Sequence, residues 1–583
     1  MNDWLNRLSR DWPERHPPFR DDFATDAKAV RNWLGQLPLA NPAATSRQLL
    51  DALMVMNRMR IEPQQRLDAL ELLRGPVLQV IGSIDRQVLL ESFPLAPAKL
   101  QQARVAQDFE REIGLGYVQI LHDFCASSGK VPFLRGKSVA TAALRALQHY
   151  GNLLAKAYTL YHTPPDGVWL RLHEVFAAAA QLRVDDKAVP DPSLGGAELT
   201  PRHAYAHALL LALSNPYRYT QREMADVFAL TRALAPYCEI SQGQAPVAGF
   251  AVLVERDQGV GYVPEERQLA AVGLLSFDPQ PVQRMVDGHV RLLPPGADLL
   301  SFRLKSGPPV QARRAVIDHL MRSWSGAAER GHTRLPAGHQ LDTVIGLHAL
   351  HHMLAGCEDF DAFLRRVRGQ AVSLAEREAV APWAVQSNEA KPVVQRARVL
   401  DQSLGGYRLV WDTADLARAK VGELVGLTPA AAADEDEEED RDWMVGVIRW
   451  IRIDDADSVD AGIELLARRA QPVGIASFEP TGPVRAALRG VLLFDQDNGH
   501  ALTVLAPHLF DRHACELELT RPADPLDWET RASVQRLSDV TVVDASHSYQ
   551  RVLIGRTPTV QELRDSQQAD SGSDAVCADG TAG

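Results

Sequence analysis

The segment Arg398-Val399-Leu400-Asp401-Gln402-Ser403-Leu404-Gly405-Gly406-Tyr407 decides how the C-terminal part of this chain is read. Its first residues look like the end of a strand, Gly405-Gly406 like a tight reversal, and Tyr407 like the start of a returning strand. Outward from it, residues 393–400, 407–411, 423–427, 443–453 and 462–466 are brief apolar runs cut by Gly, Asp and Pro. Short strands at that spacing predict a small antiparallel barrel over 391–480. Residues 491–494, 501–506, 515–519 and 540–543 continue the same texture in a second β-rich region, 481–556. Between two predicted strands, the block Asp434 to Asp440 repels itself and is expected to stand in solvent. Residues 557–583 dissolve into Ser, Asp, Gly and Ala, the composition of a disordered tail.

Upstream the periodicity changes from two to three and four. Val139, Ala142, Leu147, Tyr150, Leu154 and Tyr158 fall on one helical stripe, and turn clusters at 127–129, 162–167 and 191–196 separate such segments. Helices with short connections pack as antiparallel neighbours, so residues 1–240 are predicted to form a helical domain. Residues 241–390 mix β-branched runs such as 250–254 with helical stretches such as 316–324 and 341–354, a mixed α/β region. The fold class expected is a multidomain α+β protein, and 583 residues suit about four domains.

Lys+Arg 62 against Asp+Glu 74 gives 62 − 74 = −12, a balance that argues against a body built to wrap nucleic acid or to lie on an anionic membrane. Any anionic ligand must then find a local basic pocket. Hydrophobic content of 46%, charged content of 23% and mean hydropathy −0.17 belong to an ordinary folded chain. The five cysteines are scattered singly without a CxxC pair, which fits a reducing compartment. No signal-like N-terminus and no apolar run of about 20 residues are found, so a cytoplasmic protein without membrane insertion is expected.

Chemistry is concentrated at the Asp401 turn. A carboxylate accepts from the N1 and N2 donors of a guanine edge, a short hydroxyl bridges to phosphate or base, and glycine lets backbone come close. The planar fork of arginine neutralises phosphate and reads guanine O6 and N7. Asp401, Ser403 and Gly406 are therefore candidate ligand contacts, with Arg396, Arg398 and Arg408 the nearest cations. Arg396 and Arg398 lie two apart and share a strand face. The competing reading is a structural turn in which Asp401 caps backbone amides, flanked by arginines that face water.

At this point the sequence resembles the PilZ domain, a small β-barrel whose members include receptors for the bacterial second messenger cyclic di-GMP. Asp401, Ser403 and Gly406 stand where the family's [D/N]-x-S-x-x-G motif stands. Residues 422–427, 445–450 and 462–465 are similar to its later strands. The resemblance implies cyclic di-GMP as ligand. One departure is plain: ligand-binding members carry an RxxxR motif some twenty to thirty residues before the acidic turn, and only Arg377 stands between Arg368 and Arg396. RxxxR spacings occur at Arg218/Arg222, Arg330/Arg334 and Arg485/Arg489, as chance would also place them, and Arg365, Arg366 and Arg368 form the nearest upstream cluster.

Other constellations lead nowhere. Gly136-Lys137-Ser138 ends like a phosphate loop, but Val131 stands where the first glycine is required. His348, His351 and His352 lack a further ligand in a known spacing, and Gly259-Val260-Gly261 lacks the strand-turn-helix setting of a dinucleotide loop. No G-x-S-x-G elbow occurs, and no metal, cofactor or catalytic set is expected. The expected protein is a bacterial signalling receptor, not an enzyme, that binds cyclic di-GMP and relays it through the helical region to an unidentified protein partner. The alternative is a ligand-free scaffold or chaperone-like adaptor using a degenerate PilZ-like module.

Overall fold

The computed structural model describes residues 3–20, 22–90, 95–242, 249–263, 273–292, 299–302, 309–325, 333–369, 392–412, 419–430, 442–454, 458–478, 486–494, 502–509, 515–523 and 532–554. The chain divides into two compact units, Met1–Glu329 and Arg330–Gly583.

The first unit is built on helices α1 (Asp3–Leu8), α2 (Ala27–Leu34), α3 (Pro42–Asn57), α4 (Pro63–Leu90), α5 (Pro97–Cys125), α6 (Gly136–Thr159), α7 (Val168–Gln181), α8 (Pro201–Leu213) and α9 (Gln221–Leu234). Their starts are written in the sequence. Asn41 and Thr200 cap α3 and α8 ahead of a proline at the first helical position, and Thr220 with Glu223 forms a reciprocal capping box on α9. The stripe predicted for α6 is buried, with Leu147 and Leu154 fully enclosed among Phe109, Ile113 and Tyr117 of α5. Each such side chain contributes about 1.5–3 kcal/mol on leaving water. A hairpin, β1 (Val189–Asp191) and β2 (Ala197–Leu199), is anchored by buried Asp191, which Arg74 and Arg145 both hold at 2.9 Å.

The mixed region divides between the two units. Strands β3 (Glu239–Gln242), β4 (Gly249–Leu253), β5 (Gly261–Val263) and β6 (Leu274–Asp278) form an antiparallel sheet in the order β3-β6-β4-β5. Helix α10 (Gln280–Val290), the ribbon β7 (Leu299–Phe302) with β8 (Val310–Arg313), and α11 (Arg314–Trp324) follow. Phe250, Phe277 and Trp324 join the hydrophobic cluster of the helices, and Trp324 donates its indole N–H to Ser214 Oγ at 3.1 Å. The expected domain 241–390 is shared between the units: its first part packs on the helical core, while β9 (Leu335–Pro336), β10 (Gln340–Ile345), α12 (Leu347–Leu354) and α13 (Phe360–Arg368) belong to the second unit.

The second unit holds two rings of strands. In the first, β11 (Gln395–Ser403), β12 (Gly406–Trp411), β13 (Leu424–Pro429), β14 (Met444–Ile453) and β15 (Val459–Ala467) run in the order β10-β13-β14-β15-β12-β11, and β10 also pairs with β11, which closes the barrel. Strand β9 adds to β11. The barrel expected over 391–480 therefore starts earlier, at β10. More than forty intervening residues hid that strand from a local reading, and loop closure tolerates such an insertion because its cost grows only slowly with length. The second closed barrel runs β16 (Arg469–Phe478), β17 (Leu488–Phe494), β18 (Leu502–Ala506), β21 (Gln550–Ile554), β20 (Ser533–Ala545), β19 (Cys515–Arg521). It too begins earlier than the expected 481. Both rings follow one order: first, second, third, sixth, fifth, fourth strand. The acidic block 434–440 and the tail 557–583 lie outside the described residues.

Candidate functional site

Strands β11 and β12 make a hairpin around Leu404-Gly405, closed by the pair Ser403 and Gly406. Val399 faces Leu409, but Asp401 faces Arg408, so Leu400 is the extra residue of a β-bulge. Strict alternation would send Asp401 inward with Val399. The bulge reverses the parity and turns the carboxylate to the outer face beside Arg408.

On that face Arg334, just before β9, donates to Asp401 Oδ1 at 2.6 Å, and Arg408 lies 3.9 Å from the other carboxylate oxygen. Arg408 makes a two-pronged pair with Asp460 of β15 at 3.0 and 2.8 Å, and Arg452 of β14 meets the same carboxylate at 2.9 Å. The hydrogen bonds to Asp460 raise the Arg408 pKa above its ordinary value, partly opposed by burial. The Arg408 guanidinium sits 5.9 Å from the centre of the Trp450 ring, within cation–π range. Three guanidiniums meet two carboxylates here, a local excess of one positive charge in a chain of net charge −12. The cluster is open to water: side-chain exposure is 41% for Arg334, 32% for Arg408 and 21% for Asp401.

Two glycines position it. A Cβ on Gly406, whose φ is +154°, would lie 1.9 Å from the Ile463 carbonyl oxygen. A Cβ on Gly462 would lie 1.9 Å from Trp450 Nε1, so its absence lets the indole lie against β15. Gly406 therefore admits the β15 backbone. Ser403 Oγ lies 3.4 Å from the Gly406 carbonyl and spans the turn.

The structure brings Asp401 and Arg408 together and sets the other cations apart. Arg398 is exposed one outward position along β11. Arg396 is held by Asp342 of β10 at 3.2 Å, five residues from Asp401 and so about 16 Å along the strand. The upstream arginines are engaged elsewhere: Arg366 pairs with Glu358, and Arg368 with Glu518 and Thr520 of the second barrel, each at 2.8 Å. Sequence reasoning missed Arg334, Asp460, Arg452 and Trp450. The signal for Arg334 was the Arg330/Arg334 spacing, which the order of strands makes relevant and linear distance conceals; Arg330 itself is outside the described residues.

The remaining motifs have structural uses. Lys137 and Ser138 lie in the first turn of α6, where Ser138 donates to Gln64 at 3.0 Å. Before Gly259, the Asp257 carboxylate accepts from the Gly167 and Trp169 amides at the start of α7, and the Gln258 carbonyl meets His173 at 2.9 Å. His351 is packed edge-on against Phe360 and Phe363, and burial pushes its pKa down to about 3. Among the described residues no three His, Cys, Asp or Glu side chains come together as a metal site, and no helix is long and apolar enough to cross a membrane.

Comparison with known proteins gives two family matches, the second of which begins within the first unit. Residues 28–246 match the family described as cyclic-di-GMP receptor FimW, N-terminal domain, and residues 250–393 and 377–472 match the FimW middle PilZ domain. Residues 250–472 are thus similar to a PilZ domain, and the chain is similar to cyclic-di-GMP receptors. It is 27% identical over 519 residues to the cyclic-di-GMP receptor FimW of Pseudomonas aeruginosa, covering 80% of this chain and 81% of that protein. The matched families are receptors rather than an enzyme class.

Proposed function

We propose that this chain is a bacterial signalling receptor that binds cyclic di-GMP on the outer face of the first barrel. Asp401 accepts from a guanine edge, Arg334 and Arg408 meet phosphate or guanine acceptors, and Trp450 offers a ring on which a base can stack. The observation that carries this reading is the convergence of Arg334 and Arg408 on Asp401 in an exposed, bulged hairpin. The ion pairs already present on that face hold each fork in place, so ordering the site costs little of the binding energy. The activity is binding rather than catalysis. The chain acts in the cytoplasm and passes the bound state through its helical unit to a protein partner.

Arg396 and Ser403 contribute strand pairing and turn geometry, and Arg398 adds a charge at the rim. Calorimetric titration of the full chain with cyclic di-GMP tests the assignment. Asp401→Ala should weaken binding by one to two decades, since losing a charge-assisted hydrogen bond costs about 1.5–3 kcal/mol. Unchanged affinity in that variant contradicts the site. No binding by the parent chain would leave the adaptor reading in its place.

A further inference from the structure

The helical unit holds a half-open cavity of about 340 Å³ between α4, α5, α6, α8, α9 and the β1–β2 hairpin. That volume lies within the range of small-molecule sites, and its lining follows their pattern of an apolar wall with a few polar groups. Leu78, Ile81 and Leu89 of α4 and Met224 and Phe228 of α9 supply much of the apolar wall.

Most of its charges already have partners. Lys156 holds Asp85 at 2.7 Å, Arg74 and Arg145 share Asp191, and Glu110 meets His149 at 2.6 Å. Arg232 is the exception. Its guanidinium lies 5.5 Å from the Phe228 ring and makes no ion pair among the described residues. Asp191, the carboxylate whose charge reaches it, is held by the other two arginines, and burial pushes the Arg232 pKa down. A second group is also unsatisfied: His207 is 8% exposed, lines the cavity, and leaves Nε2 without a hydrogen-bond partner. Buried polar atoms without partners are rare, and here one stands beside a cation without a counter-ion.

We propose that this cavity is a second ligand site, which takes a small amphipathic anion. Its head group pairs with Arg232, with His207 Nε2 as a further polar contact, and its apolar body lies along Leu78, Ile81 and Met224. The inference is independent of the nucleotide reading, because every residue in it belongs to the helical unit.

Calorimetry on the full chain with decanoate, decyl phosphate and 1-decanol tests it. Either anion should bind at least about tenfold more tightly than the alcohol of the same chain length, since only the anions neutralise Arg232. Arg232→Gln should remove that advantage and leave binding of 1-decanol and of cyclic di-GMP unchanged. Gly82→Leu fills the cavity without endangering the fold: a Cβ there meets only the tip of Arg86 at 3.8 Å, and leucine favours helix over glycine. It should abolish binding of all three amphiphiles. Equal affinity for decanoate and decanol, an unchanged anion affinity in Arg232→Gln, binding that survives Gly82→Leu, or no binding up to the solubility limit would each overturn the proposal. A preference between the two anions identifies the head group as carboxylate or phosphate.

Discussion

The two barrels of the second unit have the same number of strands in the same ring order, yet the sequences joining their second and third strands differ. From the end of β11 to the start of β12 the first barrel reads Asp401-Gln402-Ser403-Leu404-Gly405-Gly406, with Arg334 and Arg408 on the carboxylate. Between β17 and β18 the sequence of the second barrel is Asp495-Gln496-Asp497-Asn498-Gly499-His500-Ala501, which contains no Ser-x-x-Gly. Two of its cations lie against aromatic rings: Arg489 stacks 4.7 Å from Phe360, and Arg469 lies 4.4 Å from Phe494. One topology thus supports a charged, open face in one copy and cation–aromatic packing in the other, so the site follows from a few side chains and not from the ring of strands.

The largest effect that would sharpen this contrast is expected at Gly406. Gly406→Val drives a side chain into the Ile463 carbonyl and should cost at least about 3 kcal/mol of local stability. Hydrogen exchange should then speed up in β12 and β15 while the second barrel keeps its protection. Equal loosening of both barrels would show that they unfold as one.

Next in size is binding. Arg334→Ala should weaken cyclic di-GMP by about ten- to a hundredfold, the value of a charge-assisted contact. Arg489→Ala, its contrast in the second barrel, should leave affinity within about twofold in the same titration.

Acid should act on both units. Burial lowers His207 in the helical unit and His351 in α12 to a pKa of about 3. The unfolded chain protonates these groups near pH 6.5 and the folded chain does not, so the stability they hold is complete above pH 6.5 and declines as pH falls toward 3. The slope is at most about 1.4 kcal/mol per pH unit for each histidine. Thermal melts at pH 7 and pH 5 should separate for the parent chain, and separate less in His351→Leu. The smallest effect is expected for Arg396→Ala: held by Asp342 and 53% exposed, it should change nucleotide affinity by less than about twofold.

The helical unit was legible because caps and stripes are local: Asn41-Pro42, Thr200-Pro201 and the Thr220/Glu223 box all sit within one turn of what they start. The strands around Asp401 were legible by alternation. What escaped was long-range. Strand β10 joins the barrel across an insertion that includes two helices, and Arg334 reaches Asp401 from 67 residues away. The mixed region was read as a domain because its strands differ in period from the helices, although Phe250, Phe277 and Trp324 are buried in the helices' own core. At the site, Asp401 was found by residue type, but its orientation depends on the Leu400 bulge, which no period-two reading contains.

Where the nucleotide lies decides whether the open face of the first barrel is the receptor site. A hydrogen-exchange footprint of cyclic di-GMP on the full chain measures that directly. Protection is expected at the residues flanking Arg334, along 401–411 and along 458–464, with none along β17 and β18. Protection confined to the second barrel or the helical unit, or none at a saturating nucleotide concentration, would contradict it.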